Sequence, residues 1–204
     1  MKKVIFSLVC IIITVATFAQ DAQQKLYKAI ESDKADSVTL AISGGADPNL
    51  PFEQDGYFQN DGYKEYTPLM KAAAENRLNA LAALLEVKKI KINATTDQKA
   101  NYQFKLKSLK PESATTKSIK GRTALMFAAH NGHFEAVKKL IDAGADPLLT
   151  MEVNFLIRNG QKRNGTSVDG ANFTAKQLAG ENGYDEIEAY LKKAKGSALK
   201  GMWK

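Results

Sequence analysis

Cysteine is nearly missing from this sequence of 204 residues: the only one, Cys10, lies in the first apolar run. A disulfide framework is therefore excluded, and thiol chemistry has no residue beyond Cys10 to use. Histidine occurs twice, as His130 and His133, and tryptophan once, as Trp203. So few imidazoles leave a zinc centre or a nucleophile-and-base arrangement without candidates. Long apolar runs are scarce as well. The one at the start, Val4 to Phe18, is about 15 residues, short of the ~20 that a membrane-spanning helix needs. Clustered arginines are absent, which argues against a nucleic-acid partner.

The first residues read as a leader. Lys2 and Lys3 form a positive n-region, Val4 to Phe18 an apolar h-region, and "ATFAQ" supplies small residues around a cut near Ala19. Residues 1–19 are expected to be a signal peptide, an uncleaved anchor being the alternative. Val9 precedes Cys10, where a lipid-anchor signal would need a small residue. The expected location is periplasmic or secreted, with no stable membrane insertion after cleavage. A mature chain without cysteine must be stable by core packing, which suits a bacterial periplasm or exterior. Without Lys2 and Lys3, 27 basic residues face 22 acidic ones, so the net charge falls from +7 to +5. That excess favours an acidic partner or surface.

What the sequence does contain is an internal repeat. "YTPLMKAAAENRLNALAALLE" from Tyr66 aligns without gaps to "RTALMFAAHNGHFEAVKKLID" from Arg122, and "FTAKQLAGENGYDEIEAYLKK" from Phe173 follows in the same phase. Each copy reads threonine, short helix, polar break, second helix. Leu125, Ala128 and Ala129 mark one face of a first helix, and Val137, Leu140 and Ile141 one face of a second. Small alanines let the two approach closely. Gly144 can take the left-handed conformation that ends the second helix, and Pro147 prevents resumption. "QQKLYKAIESDKADSVTLAISGGADPN" supplies a weaker copy, without the Thr-Pro-Leu opening, as expected of a capping unit.

These residues resemble the ankyrin repeat. The pattern Thr-Pro-Leu-His-x-Ala-Ala, then Gly-His, then Gly-Ala-Asp is best matched from Thr123 to Asp146, with good matches at "TPLM" from Thr67 and at "GGADPN". The resemblance covers roughly Ala22 to Ala194 apart from insertions. It implies an all-α repeat solenoid of ankyrin-like helix pairs carrying extended β-hairpin fingers. The family's motif histidine, which helps to bond neighbouring repeats, is replaced by Met70, Met126 and Gln177. Stacking should therefore shift toward apolar contact. The second unit ends "VKKIKINAT" in place of Gly-Ala-Asp, so an irregular helix exit is expected there.

Units recur at about 33 residues in this family. Here Thr67 to Thr123 spans 56 positions and Thr123 to Thr174 spans 51. The expected units are about 22–50, 66–94, 122–149 and 173–195, with finger insertions at about 51–65, 95–121 and 150–172 and a basic tail at 196–204. Together the repeat domain spans 20–195. The insertions have patterns of their own. The first carries Phe52, Tyr57, Phe58, Tyr63 and Tyr66. The second alternates Tyr102, Phe104 and Leu106 with Gln103, Lys105 and Lys107. The third alternates Val153, Phe155 and Ile157 before Asn159-Gly160, a two-residue hairpin signal. Long patterned loops of this kind are commonly functional.

Two readings of the finger aromatics stand side by side. They pack on one another as a small sheet, or part of the set is exposed for a partner. On the second reading the contact residues are Tyr57, Phe58, Tyr63, Tyr102, Phe104, Lys105, Phe155, Arg158, Lys162 and Arg163. Lys107 joins the basic side. The glycines of "GQKRNGTS", Gly160 and Gly165, have phosphate-loop spacing, but Thr166 stands where that motif needs lysine, and the following helix is delayed. His133 fits the structural Gly-His position, and Asn131-Gly132 breaks the helix between the two histidines. Glycosylation-type triplets at Asn93, Asn164 and Asn172 are at chance level. The tail with Trp203 reads as a frayed end, a docking segment being the minority reading. The resulting expectation is a non-catalytic protein-binding module, without cofactor or metal, whose fingers and adjoining first helices form a concave contact surface. The rival classes are an enzyme or small-ligand binder built from the fingers, and an accessory factor protecting a periplasmic enzyme.

Overall fold

The computed structural model describes the backbone of residues 21–51, 66–99, 114–158 and 166–201, and side chains over 21–51, 66–96, 119–153 and 171–194. Four helix pairs follow one another: α1 (21–31) with α2 (Ala35–Ser43), α3 (Pro68–Ala74) with α4 (Leu78–Leu85), α5 (Ala124–His130) with α6 (Phe134–Asp142), and α7 (Ala175–Asn182) with α8 (Asp185–Gly201). Between them lie β1 (Thr96–Lys99), β2 (Ala114–Arg122), β3 (Thr150–Arg158) and β4 (Thr166–Thr174).

The same local chemistry starts the last three pairs. Thr67, Thr123 and Thr174 are N-caps whose hydroxyls accept the N–H of Met70, Met126 and Gln177 at 3.3, 3.4 and 3.3 Å. At Thr174 the Gln177 side chain returns the bond, completing a capping box. Each first helix ends on a left-handed residue: Asp33 (φ 52°), Asn76 (φ 56°), Gly132 (φ 77°) and Gly183 (φ 81°). Behind it, the next N–H reaches back to close the helix, as from His133 to the Ala128 carbonyl at 2.9 Å. Asx residues tolerate that conformation and glycine prefers it, which is why only these types occupy the four places.

The second helices of units 1 and 3 close likewise. Gly45 (φ 100°) and Gly144 (φ 95°) are left-handed, and Ala46 and Ala145 donate to the carbonyls of Ala41 and Leu140. Unit 2 has no such glycine, and α4 leaves through Glu86, which is still helical at φ −74°. The irregular exit expected from "VKKIKINAT" has this cause.

Packing is dominated by small residues. Ala72, Ala73, Ala80, Ala128, Ala129, Ala136 and Ala179 are fully buried beside Leu69, Leu81, Leu84, Val137, Leu140 and Leu178. Met70 and Met126 are each 1% exposed, so the position of the missing histidine is filled by apolar contact. Polar bonding between units has moved to the turns. Asn131 Nδ2 donates to the Ala74 carbonyl at 2.8 Å, and His133 Nε2 meets the same oxygen at 3.0 Å. Asn49 Oδ1 accepts the Lys91 N–H at 2.7 Å, and Asn93 Oδ1 accepts the Asp146 N–H at 3.0 Å. Unit by unit, an asparagine just past one second helix holds the backbone of the next.

The tail departs from expectation. α8 continues to Gly201, about twice the length of α4, so the tail is helical as far as Gly201, and Trp203 lies outside the described residues.

Candidate partner-binding surface

The strands form one antiparallel sheet in the order β1-β2-β3-β4. β1 with β2 belongs to the insertion before unit 3, and β3 with β4 to the insertion before unit 4. The two insertions are joined because β2 pairs with β3 from Ala114↔Ile157 to Lys120↔Glu152. At its base the sheet is two-faced. Ile119, Met151 and Val153 are fully buried and Phe173 nearly so. Lys120, Glu152 and Asn172 are exposed and stand opposite one another in register across three strands. Alternation along a pleated strand requires this division.

A bulge fixes the base. Thr96 pairs with Arg122 and Asp97 with Lys120, leaving Gly121 as the extra residue. Its φ is +80°, and a Cβ there would lie 2.9 Å from the Thr150 carbonyl oxygen. Only glycine satisfies both the dihedral and the approach of β3.

Beside the bulge sits a buried aromatic–cation cluster. The rings of Tyr66 and Phe127 are 4.2 Å apart, and the Arg122 guanidinium lies 3.8 Å over the Phe127 ring. Tyr66, Arg122 and Phe173 precede the capping threonines and are 7%, 8% and 8% exposed. These equivalent large side chains wedge each strand or loop against the first helices. The aligned copies display this column, but Arg122 hides it, because arginine at that place suggests solvent and not a ring face.

The inner helices offer less surface than expected. Every residue of α3 is buried, as are Ala124 to Ala129 of α5. Even Lys71 is 2% exposed, its ammonium held by Glu75 at 2.7 Å and Glu31 at 3.5 Å. The expected contribution of the first helices to a concave contact face is thus not met at α3 and α5.

His130 is the most perturbed group. Burial, and then the neighbouring Arg122 charge, lower its pKa from 6.5 to about 4, and its Nδ1 meets Asn182 Nδ2 at 3.0 Å. The imidazole is therefore neutral near pH 7 and joins units 3 and 4. Outside this cluster, the hydrogen bond that the Lys138 ammonium donates to Glu135 raises Lys138, and burial raises Tyr190, whose ring meets Phe134 edge-on at 5.5 Å. Each displacement has a local cause, and Lys138 and Tyr190 share the Phe134 ring between them. Among the described residues no group of His, Cys, Asp and Glu could hold a metal ion, and no helix is long and apolar enough to cross a membrane.

Of the contact residues expected from sequence, Phe155 and Arg158 lie in β3, Phe155 opposite Thr116 and Asp169 and Arg158 opposite Thr166. Tyr57, Phe58, Tyr63, Tyr102, Phe104, Lys105, Lys162 and Arg163 lie outside the described residues, as does the expected hairpin tip Asn159-Gly160.

Four helix pairs, three of them opened by the same threonine cap, and a sheet of inserted strands define a helix-pair repeat solenoid. The family model described as ankyrin repeats (3 copies) matches residues 26–151 and 100–199. The chain belongs to the ankyrin repeat family, whose repeats generally mediate protein–protein interaction. Comparison with curated proteins gives no match.

Proposed function

We propose that this chain is a non-catalytic protein-binding module of the exported compartment, periplasmic or secreted once residues 1–19 are removed, and that its finger sheet is the contact surface. The observation that carries this reading is the combination of closed inner helices and a two-faced sheet. With α3 and α5 buried, the row Lys120–Glu152–Asn172 is the exposed face that the sheet offers at its base. Residues 95–121 and 150–172 together hold nine Lys and Arg against four Asp and Glu, which favours an acidic partner. Arg158, Lys162 and Arg163 belong to that excess, and Phe155 and Arg158 are the pair to test first.

The test uses the chain from residue 20 onward as bait in host periplasm or medium, with mass spectrometry of what is retained. Bait carrying Phe155→Ala and Arg158→Ala together should lose the retained protein while its circular dichroism keeps the parent helix content. Equal retention by both baits would sink the reading, and loss of the helical signal would make the finger structural core.

A further inference from the structure

An edge strand still has backbone hydrogen bonds to give, and the two edges of this sheet differ. β1 has four residues, and its register slips between Thr96 and Asp97. β4 has nine residues and pairs with β3 without a slip, from Thr150↔Thr174 to Arg158↔Thr166. Among the described residues no strand lies on its outer side. Proteins ordinarily protect such an edge with proline, lysine or a bulge. "TSVDGANFT" has no proline or lysine, its ladder has no bulge, and its one charged residue is Asp169. Gly170 is its midpoint, and a glycine there leaves room for another backbone to approach closely.

We propose that β4 pairs antiparallel with β4 of a second copy of this chain, across a two-fold axis through Gly170. This inference does not rest on the binding reading above. Symmetry and charge select the register. A two-fold axis normal to the sheet sets residues of like parity opposite one another, and only the centre at Gly170 uses all nine. It places Thr166 opposite Thr174, Ser167 opposite Phe173, Val168 opposite Asn172 and Asp169 opposite Ala171. Moving the centre to Asp169 would set two carboxylates face to face, a like-charge opposition that destabilises strand pairs. The pairing is isologous and closes on itself, giving eight antiparallel strands. Joining β4 to the short β1 of another copy would instead be head-to-tail and would not close by that two-fold axis.

The experiment uses the chain from residue 20 onward, which has no cysteine of its own, so that introduced cysteines stand alone. Sedimentation velocity should show a monomer–dimer equilibrium, with the mass doubling as concentration rises. Under mild oxidation Gly170→Cys should cross-link to a covalent dimer faster than Leu40→Cys, a control at a 73% exposed position on α2. Ala171→Asp, which sets a carboxylate opposite each Asp169, should weaken dimerisation by about two- to thirty-fold, with recovery in salt. A monomer at every soluble concentration would overturn the proposal. So would a dimer in which Gly170→Cys cross-links no faster than Leu40→Cys, or one indifferent to Ala171→Asp.

Discussion

The carboxylate of Asp33, in the turn of unit 1, accepts the backbone N–H of Ala80 in α4 of unit 2 at 2.9 Å. It also takes the Asn79 N–H and the Asn79 side-chain amide, each at 3.0 Å. Arg77, the N-cap of α4, makes no side-chain cap of its own. One unit therefore caps the helix of the next. Replacing Asp33 by Ala should cost about 1–2 kcal/mol, the usual worth of a cap, while Asp33→Asn retains part of it and tolerates the left-handed backbone. Urea unfolding of both variants checks this order. Equal losses would contradict it, because asparagine keeps both an acceptor oxygen and the left-handed backbone.

Gly121 predicts a contrast between glycines. Gly45, Gly121 and Gly144 all have positive φ, but a Cβ at Gly45 or Gly144 meets nothing within 4 Å. Gly45→Ala and Gly144→Ala should each cost about 1–2 kcal/mol from the dihedral alone. Gly121→Ala adds a clash with the Thr150 carbonyl and should cost more. It should also release amide protection in β2 and β3, read by hydrogen exchange.

The pKa of His130 sets a pH window. Its folded value, about 4, lies below the ordinary 6.5, so the unfolded chain binds more protons between those limits. Stability is fully present above pH 6.5 and falls as pH drops toward 4, by on the order of 2–3 kcal/mol. In His130→Gln the slope of unfolding free energy between pH 6.5 and 4 should be shallower. Parallel curves for the two proteins would contradict the assignment.

The buried ammonium of Lys71 should be replaceable. Because desolvation offsets most of its attraction to Glu75 and Glu31, Lys71→Met is expected to change stability by less than about 1 kcal/mol or to raise it. Removing the partner, in Glu75→Ala, leaves the lysine poorly compensated and should cost about 2 kcal/mol. Thermal melts of the two variants separate these outcomes.

The helix pairs were legible in the sequence because caps and turns are local. Thr67, Thr123 and Thr174 start helices, and Gly132, Gly144 and Gly183 stop helices or the turns between them, wherever the rest of the chain lies. The inter-unit contacts were not legible. Asp33 and Asn79 are 46 residues apart, and nothing near Asp33 distinguishes a cap for another unit from a solvated turn residue. β1 and β2 were missed for a different reason. "TDQK" and "ATTKSIKGR" lack clear apolar alternation, and their order comes from pairing with each other and with β3. Phe155 and Arg158 could be placed on a strand because Val153, Phe155 and Ile157 alternate. The closing of α3 was hidden because lysine at position 71 suggests an open face.

An amide hydrogen-exchange footprint of the chain with its captured protein partner decides whether the finger sheet is the contact surface. New protection is expected in β2 and β3, with the second helices α2, α4 and α6 exchanging as in the free chain. Protection confined to those second helices, with the sheet unchanged, would contradict it.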